Sequence, residues 1–218
     1  MRRSPFRRCC ASAWRAGVLA ALLQTGPALA GAQIYEPLAA SVQAVLHKAV
    51  SDSAAEPVFS SQAEKTVWLQ EMSTRLARFI PDPAYRDELL KSVHYEATRA
   101  GLDPQLVLGL VQVESGFRKY AISSSGARGY MQVMPFWVKL VGRPDDNLFH
   151  LRTNLRYGCT ILRHYLDLEK GDLFRALGRY NGSLGKAEYP NLVRNAWESR
   201  WIYPPLRVAD SGRPNSTN

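Results

Sequence analysis

The chain has 218 residues, enough for one full domain plus an extension, and its 46% hydrophobic and 22% charged content are those of a globular protein. The formal charge of +9 invites a nucleic-acid reading, but Arg2, Arg3, Arg7, Arg8 and Arg15 precede any acid; without these five, 23 Lys+Arg face 19 acids and +4 remains. That excess forms no dense Lys/Arg stripe, which argues against a nucleic-acid footprint and would suit an anionic cell-wall polymer.

Residues 1–30 read as an export signal. An Arg-rich start leads into the apolar run Ala16–Leu23, and Ala28 and Ala30 form an A-x-A site. Cleavage is expected after Ala30, with Ala32 as second choice. The apolar run is too short to span a membrane. Cys9 and Cys10 precede it, so Cys159 is the single cysteine downstream. It has no partner there for an intramolecular disulfide, and its place in a helical pattern marks a small buried hydrophobe. The four histidines show no metal-ligand spacing.

Further along, Leu38 to Val50 predicts a helix with Leu38, Val42, Val45, Leu46 and Ala49 on one side. Residues 51–57 read as a linker. Ser61 and Glu64 form a capping box, and Trp68, Met72, Leu76 and Phe79 follow at helical spacing before Pro81. Asp82-Pro83 opens a helix carrying Leu89, Leu90, Val93 and Ala97, which Gly101 stops. Asp103-Pro104 repeats the opening signal for a helix to Ser115. Arg152 to Glu169 predicts a long helix with Leu155, Cys159, Leu162 and Leu166 on one side. Asp172 caps another, which ends at Tyr180-Asn181-Gly182. A last helix runs from Lys186 to Tyr203 with Val193, Ala196, Trp197 and Ile202. No strand-like alternation of useful length occurs, so the fold class is all-α, with one short hairpin or irregular turn between Ala121 and Tyr130. The tail, residues 204–218, is polar and expected to be disordered.

Two polar residues stand out in apolar surroundings. Glu114 lies seven residues after Val107, four after Leu110 and three after Val111, so it faces the apolar side of its helix. It also lies at the helix C-terminus, where the macrodipole disfavours negative charge. Burial acts in the same direction, so its pKa is expected nearer ~6 than ~4, suited to a general acid. The alternatives are a partly exposed terminal acid, or one paired with Arg118. Gln132 interrupts the run Tyr130–Met134 and needs a hydrogen-bond partner, either a substrate or the backbone. Between them lies a Ser/Gly loop, with Ser123, Ser124, Ser125, Gly126 and Gly129, that can let backbone amides approach a ligand.

Three motifs in order, Glu114-Ser115, Gly129-Tyr130-Met131-Gln132 and Arg179-Tyr180-Asn181, resemble those of the soluble lytic transglycosylase domain, family 1, of the lysozyme-like superfamily. The resemblance covers residues 88–200. Tyr130 stands where the family usually has Leu, and Arg179 where it usually has Ala. The resemblance implies a goose-type-lysozyme-like helical domain over residues 88–203, after a helical extension and linker over 31–87. It implies cleavage of the β-1,4 bond between N-acetylmuramic acid and N-acetylglucosamine in peptidoglycan, with a 1,6-anhydromuramoyl product. Glu114 would be the sole catalytic acid and base. Ser123, Met131, Gln132, Met134, Tyr180 and Asn181 would bind or line the glycan, and Ser115 would hold the helix end. Ordinary glycosidases need a second carboxylate, and the only acids near the loop are Asp145 and Asp146, in what reads as an exposed turn. A muramidase-type hydrolase on the same fold and a non-catalytic glycan-binding assembly module are the alternatives. No cofactor and no metal are expected. The expected partner is the peptidoglycan glycan strand rather than nucleic acid, with cell-envelope assembly machinery a further candidate. The expected state is an exported, periplasmic monomer.

Overall fold

A computed structural model of the chain describes residues 33–51 and 61–203. The expected export signal, the linker after residue 51 and the polar tail lie outside them. The described residues hold eight α-helices: α1 Ala40–Ser51, α2 Gln62–Leu76, α3 Pro83–Arg99, α4 Pro104–Ser115, α5 Phe136–Val141, α6 Leu151–Leu168, α7 Leu173–Asn181 and α8 Glu188–Ala196. A π turn, Trp197–Trp201, follows α8. None of these helices is long and apolar enough to cross a membrane.

Local chemistry sets the helix starts. Asp82 and Asp103 accept from Ala84 N and Gln105 N, each with proline in the first turn, and Ser61 accepts from Glu64 N. Helix α2 stops at Leu76, before Pro81, and the chain turns through Ala77–Phe79.

Helix α4 is the central element. Leu106, Val107, Leu108, Gly109, Leu110 and Val111 are all buried, so it is covered on nearly every side by α3, α8 and the π turn. Each such leucine contributes roughly 1.5–3 kcal/mol by leaving water. Gly109 faces the start of the π turn: a Cβ there would meet the Trp197 backbone at 3.0 Å. An alanine there would need the Trp197 backbone to give by a few tenths of an ångström.

The core is one continuous cluster that takes in Leu46 and Val50 of α1 and Trp68, Met72 and Leu76 of α2. Val45, expected on the buried side of α1, is 69% exposed instead. It lies one residue from Leu46, a step of roughly 100° round the helix, and the docked stripe is narrow. Helix α1 is fastened by Arg99, which donates to Ala49 O at 2.7 Å, and by His47, whose Nδ1 lies 3.0 Å from Val141 O. Arg99 and Arg156 both pair with Glu96, a fully buried carboxylate of α3.

The last helix also departs from expectation. At Trp197–Trp201 the ladder slips to i→i+5, with Ile202 N bonded to Trp197 O at 3.0 Å. The extra residue turns the face, so Trp201 enters the core and Ile202, expected inside, is 47% exposed. The Trp201 indole N–H donates to Gln112 of α4 at 2.9 Å and pins this end to the central helix.

Candidate active site

The site is built around the end of α4. Gly116, at φ 57°, caps the helix in the left-handed conformation, and its N–H reaches back to Gln112 O. Glu114 is 3% exposed. Its Oε1 accepts from the Tyr189 hydroxyl at 2.5 Å, while Oε2 is buried and has no hydrogen-bond partner. Burial pushes the Glu114 carboxyl up to about 8, and the Tyr189 hydroxyl bond pulls weakly the other way. The direction agrees with the helix-face argument, and the rise exceeds the expected ~6 because the side chain is enclosed rather than half-covered. Arg118 does not pair with it; that guanidinium donates to Ser115 O at 2.9 Å.

The loop after α4 folds into a small irregular hairpin. Arg128 and Val133 exchange backbone bonds at 3.0 Å in both directions, and Gly129 N bonds to Ala121 O at 2.9 Å. Gly129 sits at φ 75°, and a Cβ there would meet Leu148 O at 2.6 Å, so only glycine fits. Gln132, at φ 48°, also adopts the left-handed conformation, at a cost of roughly 1–2 kcal/mol. Its buried Nε2 donates to Gly129 O at 2.9 Å and Ala121 O at 3.2 Å. Of the two partners open to it, backbone is the one it takes here.

The other residues singled out in the sequence fall around this hairpin. Ser123 is half-buried, and its Oγ accepts from Ala127 N at 3.0 Å. Ser115 Oγ bridges Val111 O and Tyr130 O, at 3.1 and 2.8 Å, tying the helix end to the loop. Tyr180 is buried, and its hydroxyl donates to Met131 O at 2.7 Å. Proximity to Glu114, after burial itself, raises the Tyr180 pKa. Met131 is fully buried beside Gly158 and Cys159, so its side chain underlies the site and does not line its surface. Met134 is half-buried and closer to the surface. Asn181 is buried at the end of α7. The two departures from the family motifs also have partners. The Tyr130 hydroxyl bonds to that of Tyr85 in α3, and Arg179 pairs with Glu169 and, at 3.4 Å, with Glu36.

Two site residues are absent from the sequence reading. Tyr189 is fully enclosed in the first turn of α8, four residues before Val193 and seven before Ala196. A tyrosine on an apolar stripe carries a hydroxyl that must be satisfied, and that was its signal. Asn154 of α6, fully buried, accepts from Met131 N and donates to Arg128 O and Leu148 O, all at 2.8 Å. An asparagine on the buried face of a strongly amphipathic helix carries the same kind of signal. Asp146 is engaged elsewhere: it accepts from the Tyr157 hydroxyl at 2.5 Å and from Arg143 N at 3.0 Å.

The described residues form an all-helical domain that encloses one protonatable carboxyl at a helix end, and the family matched by its sequence has a lysozyme-like helical fold. Residues 91–197 match the family model described as the transglycosylase SLT domain, and this stretch of the chain belongs to that family. A transglycosylase of Enterobacteria phage PRD1 is 39% identical over 88 residues, covering 40% of this chain and 32% of that protein. A membrane-bound lytic murein transglycosylase C of Histophilus somni (strain 2336) is 37% identical over 112 residues, covering 44% of this chain and 31% of that protein. One of the same description from Mannheimia succiniciproducens is 48% identical over 82 residues, covering 34% and 23%. The chain thus spans about a third or less of the length of these relatives.

Proposed function

We propose that the protein is an exported lytic transglycosylase that cleaves the N-acetylmuramic acid–N-acetylglucosamine β-1,4 bond of peptidoglycan and leaves a 1,6-anhydromuramoyl end. The observation that carries this reading is the state of Glu114: a buried carboxyl held protonated up to about pH 8, with one oxygen on Tyr189 and the other unengaged. Glu114 gives its proton to the glycosidic oxygen as the C1–O bond breaks, and the sugar's own N-acetyl group stabilises the positive charge at C1. The carboxylate, steadied by the Tyr189 hydroxyl, then takes the proton of the muramoyl C6 hydroxyl. O6 attacks C1, the anhydro ring closes, and Glu114 is again protonated.

One carboxylate serves both steps, which suits a site whose neighbouring acid, Asp146, is occupied by Tyr157 and Arg143. Ser123, Gln132, Met134, Tyr180 and Asn181 hold the glycan, and Met131 supports the floor. In this reading residues 1–30 direct export to the periplasm, 31–87 form a helical extension, and 88–203 are the catalytic domain. The test is clearance of purified peptidoglycan by the protein and by Glu114→Gln. The substitution keeps size and hydrogen bonding but carries no transferable proton, so lysis should vanish while sugar binding persists. Unchanged lysis would overturn the proposal.

A further inference from the structure

One segment with no part in the mechanism lies against the proposed glycan site. Residues 33–39 run without regular secondary structure ahead of α1. Gln33 is 4% exposed, and its Oε1 accepts from Met134 N at 3.2 Å. The same carboxamide lies beside the Tyr180 hydroxyl, close enough to offset slightly the rise that burial imposes on it. Its Nε2 is buried and makes no hydrogen bond of good geometry. Two residues on, Tyr35 meets Phe136 edge-on, with ring centroids 5.6 Å apart. Glu36 reaches Arg179, the neighbour of Tyr180. Glu114 itself is closed off, with Oε2 out of reach of solvent, although a catalytic acid must touch the glycosidic oxygen.

The chemistry of Gln33 gives this contact a meaning. Its side chain ends in a carbonyl and an N–H on one carbon, the same pair that the acetamido group of an N-acetylated sugar presents. A backbone N–H that receives the Gln33 carbonyl can receive an N-acetyl carbonyl in its place. We propose that residues 33–36 form a pseudosubstrate strap, with the Gln33 carboxamide seated where an acetamido group of the glycan binds, so that strap and glycan compete. The identity of the competitor rests on the glycan-cleaving function proposed above.

The strap is held loosely enough to be displaced. The contacts that hold residues 33–36 include one bond at the long end of the normal range, one exposed ion pair and one ring edge. The unmet Nε2 donor works against the closed state, and displacement returns it to water. This also gives the arginine at position 179 a role: it anchors the strap through Glu36 and is itself braced by Glu169.

The test uses the whole protein, titrated with tri-N-acetylchitotriose by calorimetry. Gln33→Ala removes the competing carboxamide, and its Kd should fall roughly threefold or more, as loss of one competing neutral hydrogen bond implies. Its KM on peptidoglycan should fall with it. Glu36→Arg sets two like charges against each other at an exposed position, so it folds whatever becomes of Gln33→Ala, and its Kd should fall as well. Sugar binding that is unchanged or weaker in both variants overturns the strap; weaker binding would make Gln33 a ligand contact instead. Glu114→Gln run in parallel separates the two proposals. Tighter sugar binding with no lysis by any protein upholds the strap and refutes glycan cleavage. Lysis lost in Glu114→Gln, with affinity unmoved by Gln33→Ala and Glu36→Arg, refutes the strap alone.

Discussion

Glu114→Gln has a consequence for stability as well as for lysis. The folded carboxyl titrates at about 8, against an ordinary value of 4.5. Below pH 4.5 folded and unfolded chains both carry the proton, and enclosing the side chain involves no charge. Above it the unfolded chain releases the proton and the folded chain keeps it. Stability therefore declines by ~1.4 kcal/mol per pH unit until the folded carboxyl ionises near 8. The difference between 4.5 and about 8 makes the full loss on the order of 5 kcal/mol. Glutamine fills the same space, can accept the Tyr189 bond and has no such limb. Guanidinium unfolding of both proteins between about pH 5 and about pH 9 is the assay. The variant should gain on the wild type steadily with pH, most of the gain falling below pH 8. Parallel stability–pH curves would refute the claim that Glu114 is enclosed and protonated.

Other perturbations follow from the same geometry. Tyr189→Phe removes the hydroxyl that favours the carboxylate, so the alkaline limb of the pH–rate profile should move upward; a downward move would contradict the bond's assigned direction. Asn154→Ala strips partners from Met131 N, Arg128 O and Leu148 O, and should cost several kcal/mol at ~1–3 per buried orphan. The measurements are the denaturation midpoint and proteolysis within residues 121–130. Glu96→Gln leaves Arg99 and Arg156 facing a neutral group in a buried setting, with an expected loss of about 3–5 kcal/mol by calorimetry or denaturant titration. A loss under ~1 kcal/mol would mean the pair is solvated.

Most of the helical frame was legible in the sequence because its signals are local. Asp-Pro pairs, the Ser61 cap and the Gly101 stop act over a few residues, and the helices begin and end close to them. The face of Glu114 was legible for the same reason, since helical spacing alone turns it inward. What escaped depends on distant partners. Tyr189 reaches across 75 residues of sequence to Glu114, and Gln33 across 101 to Met134. No local pattern marks either pairing. Helical periodicity also failed at the π turn, where one inserted residue exchanged Trp201 for Ile202 in the core. Gln132 was recognised as needing a partner, but only the folded hairpin gives it Gly129 and Ala121.

The central claim is that one enclosed carboxyl, Glu114, acts in turn as acid and base with no water as acceptor. The most direct measurement is mass spectrometry of the muropeptides released from purified peptidoglycan in isotopically heavy water. The account predicts muramoyl ends lighter than the reducing form by one water, with no heavy oxygen incorporated, and no release by Glu114→Gln. Reducing ends that carry the heavy oxygen would contradict it and would make the protein a hydrolase.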